Sequence, residues 1–340
     1  MEKQKVEGIE ETFVLAYPGY FKHANIGALV SFFEENKFHL KGMMLMNVSP
    51  KFIEKHLQNV GEEHGGEPDD ELSCFNWVYY LTSGPVVAMI LEGHEAANKM
   101  KLLASNRENV FFWSFGRPAA YCSGSADRAN QDIRTWFGQD SKAERSNLVH
   151  LHAGGGTHGP LDRIYKTLEN DSYYRVFAEK PIDLHACFLK EPMSFLVIKP
   201  KAFDKDCVGE ILSAVEDNSY IVKGLKLVKK SEHPDSIVWS DSSASTKTDG
   251  DDEYGIAMVV TCLSSNFELR DKAPDLKHID FSSEVYLVGS NYVYQSKPDE
   301  MRSDVDLFFP HGLTIWTDPE SQYLFGKMFQ PTLIGLDWED

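Results

Sequence analysis

The run Phe13-Val-Leu-Ala-Tyr17, entered through Thr12 and stopped by Pro18, predicts a strand, because proline ends ladder pairing and pushes its predecessor out of helix. Apolar residues then fall at Ile26, Leu29, Val30 and Phe33, a helical period, and Phe38 to Met46 reads as the next strand. The same pattern returns later. Ser194 to Lys199 is a strand stopped by Pro200, Gly209 to Val215 opens a helix, and Tyr220 to Leu227 is again a strand. Pro18 and Pro200, Gly27 and Gly209, Phe38 and Tyr220, and Gly42 and Gly224 each lie 182 residues apart. Leu29, Val30 and Phe33 map onto Ile211, Leu212 and Val215 at the same offset. A constant offset that keeps glycines, prolines and core positions marks an internal duplication of a domain-sized unit.

The remainder of each unit corresponds as well. Ser83 to Ile90 reads as a buried strand, answered by Tyr254 to Val260. Phe115-Gly116-Arg117-Pro118-Ala-Ala-Tyr121 is answered by Val288-Gly289-Ser290-Asn291-Tyr-Val-Tyr294, with glycine to tyrosine five residues in both. An acid stands six residues beyond each tyrosine, Asp127 and Glu300. In the first unit, Val110 to Phe115 predicts a strand and Asp127 to Phe137 an amphipathic helix, with Ser123 and Ser125 as N-cap candidates and Tyr121 on the loop between. Each unit thus reads β-α-β-β-α-β, the ferredoxin-like order, giving an α+β fold class with two domains in tandem. The expected boundaries are a polar leader over 1–10, a first domain over 11–138 and a linker over 139–192 with a helix over 161–177. A second domain follows over 193–330, with a polar insertion over about 231–252, and then an acidic tail over 331–340.

A length of 340 residues suits two domains. A net charge of −18 with no Lys/Arg-rich run argues against nucleic acid or an anionic membrane as the main partner. The five cysteines are widely spaced, with no C-x-x-C, which reads as reduced thiols. No apolar run approaches the roughly 18 residues of a membrane span, and the charged first residues lack a signal-peptide core, so a soluble cytoplasmic chain is expected. His150, His152 and His158 have no carboxylate or cysteine completing a ligand set, so no metal site is assigned. G-x-x-x-x-G-K-[ST], H-E-x-x-H and G-x-S-x-G are absent, and Gly154-Gly155-Gly156 lacks the lysine or serine of a phosphate loop.

Taken with the strand ending Ile198-Lys199-Pro200, the run from Ser83 to Gly93 (S-G-P-V-V-A-M-I-L-E-G) and the glycine loops before an S-x-S turn, the chain resembles the nucleoside diphosphate kinase family, in tandem. The resemblance covers about residues 11–138 and 193–310. It implies ferredoxin-like domains and, for the family's enzymes, transfer of a γ-phosphate between nucleotides through a phosphohistidine, with magnesium. That chemistry needs an imidazole titrating near neutral pH. Counting from Gly116 and Gly289, the family's histidine position falls on Tyr121 and Tyr294. A phenol with a pKa of about 10 is a poor nucleophile at pH 7, so no catalytic residue is assigned and a pseudoenzyme is expected.

Of the supporting residues, the family lysine is Tyr17 in the first unit and Lys199 in the second, and the family asparagine is Pro118 in the first and Asn291 in the second. Lys199 and Asn291 are therefore the candidates for a residual nucleotide site binding ATP and magnesium without turnover. By resemblance, Asp127 and Glu300 match the acid that orients the histidine, free here to bond a tyrosine hydroxyl or cap a helix. The resemblance also implies an intramolecular pseudo-dimer. Tandem domains of this family occur on axonemal doublet microtubules of cilia and flagella, which points to tubulin or other axonemal proteins as partners. An active kinase using His278 or His311 is the third reading.

Overall fold

Two four-stranded sets of β-strands join edge to edge into an 8-stranded sheet with helices on both faces. This is seen in a computed structural model that describes residues 8–18, 26–60, 77–82, 84–114, 117–138, 193–217, 220–233, 239, 253–262, 292–310 and 313–314. The first half runs β1 (Ile9–Ala16), α1 (Ile26–Glu35), β2 (His39–Met46), α2 (Pro50–Val60), α3 (Trp77–Thr82), β3 (Val86–His94) and α4 (Ala96–Ser105). It continues through β4 (Trp113–Ser114), β5 (Arg117–Pro118), β6 (Ala120–Cys122) and α5 (Ala126–Phe137). The second half has β7 (Met193–Ile198), α6 (Pro200–Asp204), α7 (Val208–Asp217), β8 (Tyr220–Lys229), β9 (Tyr254–Cys262), β10 (Val293–Gln295) and α8 (Met301–Phe308).

The sheet order is β10-β7-β9-β8-β2-β3-β1-β6, which reads the same from either end: outer strand, first strand, hairpin partner, inner strand. Registers repeat along with the order. Leu15 opposes Ala88 and Tyr121, while Val197, 182 residues on, opposes Ala257 and Tyr294. Each inner strand carries a bulge at the same place, between Leu40 and Gly42 in β2 and between Val222 and Gly224 in β8.

Both faces are covered, which explains why the strands read as continuous apolar runs rather than alternations. Val14, Ala16, Val87, Met89, Leu196, Ile198, Ile256 and Met258 share one core with α1, α4 and α7 that runs across both halves. The opposite face holds two separate cores. Phe13, Leu15, Tyr17 and Ala88 pack with α2, α3 and α5, and Phe195, Val197 and Val259 pack with α8.

Three expectations need correction. The strand β1 opens at Ile9, so the end of the assigned polar leader belongs to the sheet; Ile9 pairs with His94, and the Glu10 carboxylate accepts the Ala97 N–H at 3.0 Å at the start of α4. Of the strand predicted over Val110 to Phe115, Val110 to Phe112 is turn, Trp113–Ser114 is strand, and Phe115 lies outside the described residues. The Asn109 Oδ1 accepts the Phe111 N–H at 3.1 Å and its carbonyl accepts the Phe112 N–H at 3.0 Å, a side-chain turn that overrides the apolar run and leaves only the short β4–β5 hairpin. Helices α2 and α3 between β2 and β3 are additional; α2 starts with Pro50 in its first turn and Ser49 Oγ accepting the Phe52 N–H at 3.2 Å. The histidines at 150–158, the helix predicted over 161–177, most of the 231–252 insertion and the acidic tail lie outside the described residues.

The junction between halves has two parts. Strands β2 and β8 meet at Met44 and Lys226, again 182 apart. Above them α1 and α7 pack directly on one another. A Cβ on Gly27 would lie 2.1 Å from the Ser213 backbone nitrogen, and one on Gly209 would lie 2.2 Å from that of Ser31. No side chain fits at either position without moving backbone, so these glycines set the spacing of the two helices. The Gly27→Ala or Gly209→Ala change should destabilise the whole chain by about 1–3 kcal/mol or more, the range for overpacking a closed contact. Urea denaturation of the full chain measures it; an unchanged midpoint would show that the helices do not pack this closely.

Candidate functional site

The tyrosine at the end of the first glycine loop lies in β6, not in an open loop, hydrogen-bonded through the backbone of the sheet's outer strand to β1. The Tyr121 side chain is 6% exposed and faces the core formed with α2 and α5. Its hydroxyl donates to Asp132 Oδ2 at 2.8 Å and accepts from Arg128 Nε at 3.3 Å. Ser123 Oγ donates to the same Asp132 oxygen at 2.7 Å. Arg128 grips Asp132 in a fork, Nε to Oδ2 at 3.1 Å and Nη2 to Oδ1 at 2.8 Å. Trp136 Nε1 donates to His56 Nδ1 at 3.2 Å, and the His56 ring stands edge-on to Tyr121 at 5.3 Å. That bond requires an unprotonated Nδ1, so His56 carries its proton on Nε2.

The helix α5 assembles most of this. Ser125 caps it, its side chain accepting the Arg128 N–H at 3.2 Å, while Ser123, the other capping candidate, turns to Asp132 instead. Arg128, Asp132 and Trp136 follow at four-residue steps and so lie on one face of α5, the face turned to the sheet. Of the two roles open to Asp127, a bond to the tyrosine hydroxyl or a place at the helix start, the structure shows the second: it lies in the first turn, where it complements the helix dipole, and the tyrosine's acid is Asp132.

Chemically this is a closed circuit. Burial pushes the Tyr121 phenol above its ordinary value, and the Asp132 charge and hydrogen bond push it further, against the opposing effect of Arg128. At neutral pH the group is an uncharged donor already committed to a carboxylate.

The second half repeats part of the arrangement. Tyr294 on β10 is half-buried, and Ser296, two residues on, donates to Asp304. Burial again raises the Tyr294 phenol, with Asp304 adding to the shift. Seven residues past the tyrosine, where the first half has Arg128, stands Met301. Among the described residues no guanidinium forks Asp304. Glu300 pairs on the surface with Lys297 at 3.2 Å. Lys199 is 8% exposed, and its backbone N–H donates to the Tyr292 carbonyl at 2.7 Å. Its first-half counterpart Tyr17 is 2% exposed with its ring 5.8 Å from Trp77. Asn291, His278 and His311 lie outside the described residues. Among the described residues no group of three or more His, Cys, Asp or Glu side chains is placed to hold a metal.

His56, Arg128 and Asp132 were not anticipated from sequence. The charged face of α5 was readable, since an arginine and an aspartate at i and i+4 sit on the side carrying Ala129, Ile133 and Trp136. The partnership of Trp136 with His56, 80 positions apart, was not.

The strand order and helix placement of the first half define a ferredoxin-like α+β domain. Residues 10–150 match the nucleoside diphosphate kinase family. The chain is 30% identical over 139 residues to nucleoside diphosphate kinase 1 of Zea mays, a match spanning 38% of this chain and 88% of that protein. It is 31% identical over 153 residues to nucleoside diphosphate kinase 1 of Arabidopsis thaliana, covering 42% of this chain and 96% of the relative. Among solved structures, the nucleoside diphosphate kinase of Aquifex aeolicus aligns at 20% identity and a TM-score of 0.31, over 41% of this chain and 99% of that one. Through its first domain the chain belongs to the nucleoside diphosphate kinase family.

Removing Asp132 should be the most damaging single change here. Asp132→Ala would strand Arg128, 7% exposed, as a buried cation and leave Tyr121 and Ser123 without their acceptor, at a cost of about 3–5 kcal/mol. Tyr121→Phe removes one bond to a charged acceptor and should cost about 1.5–3 kcal/mol. Denaturant midpoints of the two variants should rank in that order; an Asp132→Ala chain as stable as the native one would disprove the circuit.

Proposed function

We propose that this protein is a catalytically silent member of its family, built from two family domains in tandem, that works as a structural or interaction protein. The observation that carries the reading is Tyr121. At the position where phosphoryl transfer through this family's loop needs an imidazole titrating near neutral pH, the chain has a phenol held buried by Asp132 and Arg128. Tyr294, with Asp304, extends the same reading to a second domain over 193–330. The repeated strand order and registers support a second copy of the domain, and the edge-to-edge join supports an intramolecular pseudo-dimer.

A silent pair of domains offers surface rather than turnover. The resemblance to tandem family members of axonemes supports a cytoplasmic protein placed on doublet microtubules of cilia or flagella, with tubulin or an axonemal protein as the partner. The charge of −18 makes contact through bulk attraction to acidic tubulin unfavourable, so binding would rely on local shape.

A nucleotide held without turnover is the second reading, favoured by the half-buried Tyr294 and the retained lysine at Lys199. Against it, Lys199 is itself buried at the strand end.

Purified full-length protein with magnesium, ATP and a nucleoside diphosphate should show no phosphate transfer, and Tyr121→His alone should not restore it, because Asp132 and Arg128 remain paired around the site. Transfer by the native chain, retained through repeated purification, overturns the reading. Millimolar ATP with magnesium should leave the melting temperature unchanged for a scaffold and raise it for a nucleotide-binding domain.

A further inference from the structure

After α8 the chain turns back over the second half and seats itself on the strand that joins the halves. Phe309 and Leu313 close over Gly224 of β8: a Cβ there would lie 2.8 Å from Leu313 Cδ2 and 3.1 Å from Phe309 Cε1. Leu313 is 1% exposed and belongs to the second half's own core. The next residue, Thr314, donates twice to one carbonyl, that of Lys223, from its backbone N–H at 2.8 Å and from its hydroxyl at 2.6 Å. Lys223 is the residue that the β8–β9 register skips at the bulge, so Thr314 takes up a group outside that ladder.

That anchor stands beside the seam between the halves. Lys223 lies three residues along β8 from Lys226, about 10 Å at the rise of a strand, and Lys226 is where β8 meets Met44 of β2. Strand β2 runs antiparallel to β8 and ends at Met46, so Thr314 sits close to the end of β2. One face of these two strands is sealed by α1 and α7, whose starts are capped across the seam by Glu216 and Glu34. On the other face the cores of the two halves do not join. Met44, at the edge of the first core, and Lys226, which shares the face of Val228 by strand alternation, are both only half-buried there.

The residues that follow Thr314 have the composition to close this strip. Ile315 to Asp340 lie outside the described residues, and their sequence carries Ile315 and Trp316 directly after the anchor, then Leu324, Phe325, Met328 and Phe329. Side chains of this kind are driven out of water in proportion to their apolar area. We propose that the segment following Thr314 crosses the seam and lays its apolar side chains over Met44, so that the C-terminal segment straps the second half to the first. The occupant is this chain's own segment because it leaves its anchor beside the open strip, and one strand spacing, about 5 Å, separates β8 from β2. The strap does not depend on whether the protein transfers phosphate.

Two measurements on the full chain test it. Benzoylphenylalanine in place of Trp316 or of Phe325, irradiated in dilute solution, should join within one chain to peptides containing β2 or α2 from at least one of the two positions. Links confined to the second half, links formed only between chains, or none from either position overturn the strap; links only between chains would make a second copy the cover. Met44 gives an independent reading, because a thioether is oxidised by peroxide according to its exposure. In a Trp316→Ser, Phe325→Ser double variant Met44 should be oxidised faster than in the native chain, while Met89, fully buried, stays slow in both. An equal Met44 rate in the two chains overturns the strap. If Met89 is oxidised faster as well, the variant has lost its fold and the crosslinks decide.

Discussion

The contact on which the rest of the molecule depends is the crossing of α1 and α7 at Gly27 and Gly209. Each helix comes so near that the other's backbone leaves no room for a Cβ. This spacing brings the inner strands β2 and β8 within pairing distance at Met44 and Lys226, and so turns two sheets into one. It also merges the cores on that face: residues of both halves, from Val14 to Val293, belong to a single buried cluster. Among the described residues neither half leaves its inner strand as an edge, and the outermost strands, β6 and β10, are only three residues long.

On the opposite face the halves stay separate, and there they have diverged. The first half closes around Tyr121 with an arginine, an aspartate, a serine, a tryptophan and a histidine, all but one supplied by β6 and α5 or the turn between them. The second has a tyrosine, a serine and an aspartate in a similar place, with no guanidinium on that aspartate among the described residues and its tyrosine half-exposed. The fully satisfied network rigidifies its surroundings, because each polar group in a low-dielectric site depends on its partner. The two halves therefore differ less in fold than in how firmly this one face is held.

Much of this was legible in the residues. The constant offset of 182 matched α1 with α7 and β2 with β8, and the apolar runs of β1 and β7 read as strands, although their coverage on both faces came only from the structure. Turn chemistry was less legible: Asn109 bends an apolar stretch that propensity favours as strand, because its side chain competes for the backbone N–H groups a ladder would use. The candidate site was located but its partners were not. Asp127 could have served the hydroxyl or the helix start and serves the start; because a helix turns its face by 100° per residue, it is Asp132 that reaches the hydroxyl.

By itself the sequence determined what local periodicity and repetition can encode: the main strands and helices, the positions that recur 182 residues apart, the family of the first domain and the tyrosine at the loop's end. Only the tertiary structure decided what depends on residues far apart in the chain meeting in space. His56 finds Trp136 across 80 positions, and Glu34 and Glu216 find the helix starts across 174 to 190. The physical reason is that a hydrogen bond or a charge acts over a few ångströms and carries no mark in the sequence of where its partner stands. Packing at Gly27 and Gly209 supplies that information.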